Sequence, residues 1–140
     1  MKFSDADFSV AINSLVTGVF EQTHRCAIDA VVLSGAASKL IHDTLARVRG
    51  AVGNDEKAVQ QVITILEALS EISPLSARIL MATLWPIAGR LLLHDVCDAI
   101  DLWVVNETSD DLKSQLRKIM ESERDEGSRR HLERLLQNHL

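Results

Sequence analysis

The sequence predicts an all-helical protein, and three observations carry that expectation. Apolar residues recur at three- and four-residue spacing along the whole chain. Aromatic residues, which favour strands, are scarce, with three phenylalanines, two tryptophans and no tyrosine. No Asn-Gly or Asp-Gly pair joins two alternating apolar runs, so no hairpin is signalled.

The elements follow in order. Phe8, Ile12, Leu15, Val16, Val19 and Phe20 form one stripe behind Ser4-x-x-Asp7, a capping box with a shortened acid, which predicts a first helix over 5–22. A short apolar segment over 24–33 stops at Ser34-Gly35, a C-terminal cap signal. The third helix, 37–49, turns Leu40, Ile41, Leu45 and Val48 inward and ends near Gly50 and Gly53. Asn54-Asp55 opens the fourth, in which Val59, Val62, Ile65, Leu66, Leu69 and Ile72 are expected to be buried and Gln60, Thr64, Glu67 and Glu71 form the polar ridge.

Ser73-Pro74 starts the fifth helix, because proline at the first helical position gives up no hydrogen bond. Ile79, Leu80, Met81, Leu84, Trp85 and Ile87 surround it with apolar groups, which predicts a central place, with Pro86 either kinking it or marking its last turn. The sixth, 94–106, directs Val96, Ala99, Ile100, Trp103 and Val104 to the core and Asp95, Asp98 and Asp101 elsewhere. The cap-rich run Thr108-Ser109-Asp110 precedes a seventh helix with Leu112, Leu116 and Ile119 on one face. An eighth starts near Asp125 and carries Leu132, Leu135, Leu136 and Leu140. Eight helices joined by short loops form a single domain over residues 1–140.

An internal repeat organises these helices. Asp55-Glu56 aligns with Asp125-Glu126, and Val62, Ile65 and Leu66 then fall on Leu132, Leu135 and Leu136, an offset of about seventy residues or two periods of roughly thirty-five. Ile41, Leu45 and Val48 likewise fall on Leu112, Leu116 and Ile119. Consecutive helices should therefore stack as antiparallel pairs in a short solenoid, with a compact irregular helical bundle as the alternative. The run Leu112-Lys113-Ser114-Gln115-Leu116-Arg117-Lys118-Ile119, the turn Arg124-Asp125-Glu126 and the run Ser128-Arg129-Arg130-His131-Leu132-Glu133-Arg134-Leu135-Leu136 resemble a HEAT unit: first helix, Asp-containing turn, second helix with a basic residue near its start.

Composition narrows the function classes. Hydrophobic residues make up 46% and charged residues 25%, the balance of a folded globular domain. Cys26 and Cys97 lie far apart without metal or disulfide-framework spacing, and the first residues carry no signal-peptide pattern, so a reduced, cytoplasmic setting is expected. The longest apolar stretch, 79–93, is interrupted by Pro86 and Arg90 and is too short for a bilayer, so no membrane span is expected. Net charge is −5 and the cations are dispersed, which argues against a nucleic-acid partner. Residues 1–109 hold thirteen acids against eight Lys and Arg, whereas residues 110–140 hold seven of each. Such an acidic surface either serves solubility alone or speeds encounter with a basic protein.

Catalytic chemistry finds little footing. His94, Asp98 and Asp101 fall at i, i+4 and i+7, a face that could hold a metal, but no second ligand-rich motif completes a shell, so a solvated acidic face is favoured. Both cysteines are expected to behave as small hydrophobes in apolar helical surroundings. There is no Gly-rich phosphate loop and no GxSxG elbow. Met81, Trp85 and Trp103 fit packing stripes better than a ligand box. No catalytic residue, metal or cofactor is expected, and a small helical metal or acid–base enzyme is the third-ranked reading.

A short helical stack offers an extended surface for another protein. The expected partner-binding face is built from the second helix of each pair, with Gln60, Thr64, Glu67 and Glu71 beside Asp95, Asp98 and Asp101, and with Arg130 and Arg134 at its far end. In overall profile the chain resembles bacterial immunity proteins of the contact-dependent growth-inhibition type. That resemblance implies a cytoplasmic inhibitor that occludes a cognate, basic toxin domain, possessing nuclease activity in some cases. An adaptor or scaffold subunit docking a peptide or protein is the alternative.

Overall fold

The computed structural model describes residues 3–106 and 109–138. Among them the regular structure is entirely helical, in eight α-helical segments: α1 Asp5–Thr17, α2 Gln22–Val31, α3 Ala37–Val52, α4 Asp55–Ser70, α5 Pro74–Arg90, α6 His94–Val105, α7 Asp110–Ser122 and α8 Glu126–Asn138. Thr108, expected in a cap, and Leu140, expected on the last apolar stripe, lie outside the described residues. No helix among the described residues is long and apolar enough to cross a membrane.

The helix starts obey local chemistry. The Asp7 amide donates to Ser4 Oγ at 3.1 Å and the Ser4 amide to Asp7 Oδ2 at 3.0 Å, which completes the capping box. Asn54 Oδ1 accepts from Lys57 N at 3.0 Å, and Ser109 Oγ from Leu112 N at 3.1 Å. Asp125 caps α8 by accepting from the amide of Ser128 at 2.9 Å and from its hydroxyl at 2.8 Å. Each bond satisfies a donor that the first helical turn leaves without a partner.

Helix ends depart from expectation where backbone conformation decides them. Gly18 takes the left-handed conformation (φ 72°) and stops α1 at Thr17, so Val19 falls beyond the helix and is exposed instead of buried. Gly35 is also left-handed (φ 88°) and breaks the helical backbone where the cap signal placed a stop, so α2 gives way to α3 across a kink in the π turn Val32–Ala36. α3 runs through Gly50 and stops at left-handed Gly53. Ile72, expected in the core, follows the end of α4 and is partly exposed. Ala99 is exposed on α6 as well. α5 continues one turn past Pro86 to Arg90, so the proline stands at the start of its last turn.

The α5 terminus is unusual. The Leu93 amide donates to Ala88 O at 3.0 Å and the Leu92 amide to Gly89 O at 3.1 Å, the paired bonds of a Schellman cap. Its left-handed position, which normally takes glycine, is held by Leu92 (φ 61°), the one non-glycine residue with positive φ among the described residues. That conformation costs a leucine on the order of 1 kcal/mol.

Packing joins α1 to α2, α3 to α4, α4 to α5, α5 to α6 and α7 to α8, and α1, α3, α5 and α7 contact one another in succession. α5 is the axis of the molecule: it packs on α3, α4, α6, α7, α8 and the π turn, and Ile79, Leu80 and Leu84 are fully buried. Burial of each such side chain stabilises the fold by roughly 1.5–3 kcal/mol. The first turns also reach the last pair. Gln115 on α7 donates Nε2–H to Leu33 O in the π turn at 3.1 Å, and Ser76 on α5 donates to Asp29 Oδ1 on α2 at 2.6 Å. A strictly nearest-neighbour stack would lack the former contact; here the paired helices also close around α5.

Candidate functional site

The site-bearing surface is best built from α6 outward. Val104, Ile100 and Cys97 turn toward the core at helical spacing, which leaves Asp95, Asp98 and Leu102 exposed on the other side. Leu102 is 64% exposed, although it is a large apolar residue in the middle of a helix. Beside it a groove of about 490 Å³ is lined by Asp98, Asp101, Leu102 and Val105 from α6 and by His131, Arg134 and Leu135 from α8.

Asp101 is not a freely solvated acid of the kind the sequence pattern suggests. Its Oδ1 lies 2.7 Å from His131 Nε2, with the carboxyl side chain 32% and the imidazole 16% exposed. One face of the His131 ring lies on the indole of Trp85, ring centres 3.7 Å apart and planes 4° from parallel. α5, α6 and α8 are thereby fastened at one point. The arrangement fixes the wall of the groove, because the imidazole is held on one face by stacking and at one edge by a hydrogen bond. The Trp85 indole N–H is buried without an acceptor.

The expected partner-binding residues divide into separate places. Asp98, Asp101 and Arg134 converge on the α6–α8 groove, and Asp95 stands exposed one turn before Asp98. Gln60 and Thr64 instead line a shallow depression with Val16 and Thr17 of α1. Glu67 and Glu71 are exposed on and just after α4. α4 and α6 each bury against α5 and do not pack extensively on each other, since the apolar girdle of α5 takes both. Arg130 pairs along its own helix with Glu126 at 2.7 Å.

Two residue expectations change as well. Cys26 is exposed, because Ala27, Ile28 and Val31 supply the buried stripe of α2. Cys97 is buried as expected, and burial together with the neighbouring Asp101 and Asp98 charges pushes its thiol up to about 11. The face of His94, Asp98 and Asp101 does not act as a set, since Asp101 binds His131. Among the described residues no group of three His, Cys, Asp or Glu side chains converges as metal ligands do. His131 and Trp85 were missed as a unit. One signal was present: His131 stands four residues before Leu135, on the edge of the α8 apolar stripe.

No family model matches this chain, and neither a curated protein nor a solved structure does.

Proposed function

We propose that this chain is a protein-binding module that recognises a basic partner through the α6 surface and the groove it shares with α8. The observation that carries the reading is the exposed Leu102 lining that groove together with Asp98 and Asp101. An apolar centre with a charged rim is the anatomy of a protein interface, and acidic groups around it attract and orient a basic partner. The net charge of −5 extends that attraction beyond contact distance.

Within this class we favour an immunity protein that covers a cognate bacterial toxin domain. The support is the combination of acidic charge and a packed helical frame that holds the binding side chains in place before the partner arrives. A toxin that acts on nucleic acid needs a cationic surface, and an acidic inhibitor can cover that surface directly.

The test is affinity capture from lysate of the source cells with the tagged chain, followed by identification of the retained polypeptide. The reading expects a basic protein that is lost when salt is raised and lost from the Leu102→Asp variant. Retention of acidic proteins only, or equal retention by the variant, counts against this surface.

A further inference from the structure

We propose that His131 makes recognition at the α6–α8 groove depend on pH: a proton taken up by its imidazole cancels the charge of Asp101, and a basic partner held at neutral pH is released in mild acid. This rests on the groove being the partner-binding surface proposed above.

The first observation is the chemistry of the pair. An ionised carboxylate can only accept, so His131 Nε2, 2.7 Å from Asp101 Oδ1, carries the hydrogen and donates it. In the neutral ring Nδ1 is then the basic nitrogen. A proton added there leaves the bond to Asp101 in place and turns a neutral donor into a charged one. The pair passes from one net negative charge to none. Imidazole is the side chain whose charge ordinarily changes between about pH 5 and 8.

The second is that the ring is held in both states. It stacks on the Trp85 indole at 3.7 Å between centres, and an indole face receives a cation as well as a neutral ring. The groove therefore keeps its shape while its charge changes. The third is the set of charges around it. The other charged groups lining the groove are Asp98 on α6 and Arg134 on α8; α5 presents the uncharged indole to the ring, and no α7 residue lines the groove among the described residues. The Cys97 thiol on α6, pushed up to about 11 by burial and by the Asp101 and Asp98 charges, stays neutral through this range. With His131 neutral the lining carries one net negative charge, and with His131 protonated it carries none. The attraction that the groove offers a basic partner is thereby discharged in acid.

Two measurements on the purified full chain test this. Ring resonances of the five histidines are followed by NMR across that pH range, with His131 identified by the loss of its signal in His131→Gln. Association with an amphipathic lysine–leucine peptide, the basic probe, is then measured by calorimetry at about pH 7.5 and about pH 5.5 for the parent, His131→Gln and Leu102→Asp. Glutamine keeps an N–H donor for Asp101 but takes up no proton, and the other four histidines stay in place as controls. The His131 ring is expected to titrate within the range at unchanged helicity. The parent should bind about fivefold more weakly at the lower pH, the effect of one lost ion pair, while His131→Gln binds equally at both. Binding by the parent should also release protons in this range, which is read from buffers of different ionisation enthalpy and needs no variant. A His131 ring that keeps one charge state throughout, a parent whose affinity falls no more than that of folded His131→Gln, or binding without proton release overturns the proposal while leaving the groove reading intact. Absent binding at neutral pH, or binding that Leu102→Asp does not weaken, counts against the groove reading itself and takes the proposal with it.

Discussion

The imidazole of His131 lies flat against the indole of Trp85, with ring centres 3.7 Å apart, while Asp101 holds the imidazole edge at 2.7 Å. Three helices meet in this contact, so its loss should be felt in global stability as well as at the groove. His131→Ala is expected to cost about 1–3 kcal/mol, the sum of a ring stack and a part-buried hydrogen bond. Urea unfolding followed by Trp fluorescence measures it. An unchanged midpoint would mean that the stack adds nothing beyond solvent exposure.

The central place of α5 predicts a large effect from a single truncation there. Leu80 is fully buried and its helix contacts five others. Leu80→Ala should destabilise by about 2–5 kcal/mol through lost transfer energy and the cavity left behind. The same substitution at half-buried Leu136 should cost less, and equal costs would contradict α5 as the axis.

The two cysteines should differ sharply in reactivity. Cys26 is exposed, whereas Cys97 is buried with its thiol raised to about 11. Native protein near neutral pH should take up one equivalent of a thiol reagent quickly, at Cys26, and the second only on unfolding. The sign for stability follows from the neutral thiol being favoured in the fold. This contribution is complete below the unmodified value of 9.0 and is lost as pH rises through about 11. Cys97→Ala should flatten that alkaline decline.

Asp125 predicts the opposite pH sign. The Ser128 hydroxyl and amide bond its carboxylate and hold it below the ordinary 3.8. Its charged form is favoured in the fold, so its contribution is present above that value and is lost as pH falls through the lower folded one. Asp125→Asn should therefore differ most from the parent near neutrality and converge with it in acid, as read by thermal melts across pH.

Legibility in the sequence tracked the range of the interactions. The capping box of Ser4 and Asp7, the Asn54 and Ser109 caps and Pro74 at the start of α5 are local arrangements, decided within four residues, and they stand where the pattern placed them. Gly35 breaks the helix where the Ser34-Gly35 signal placed a stop, whereas the Gln115 bond to Leu33 O beside it joins residues 82 apart and has no local sign. Leu92 carries no local sign of its conformation, because leucine is the wrong residue for it. The tie between Asp101 and His131 spans thirty residues and depends on how α6 and α8 both rest on α5. The acidic residues were visible individually. That α4 and α6 would both rest on α5 was not, since periodicity assigns faces to helices without saying which faces meet.

The central claim is that the α6 surface recognises a basic partner, and the most direct measurement is a titration of the captured partner against the Asp95→Lys, Asp98→Lys double variant at two ionic strengths. Asp101 is left in place because it holds His131, so the variant should keep the parent's helicity and melting behaviour. Slower association, weaker affinity and a smaller dependence on salt are expected, since two acids on the α6 surface become cations. A folded variant whose affinity and salt response equal the parent's would contradict it.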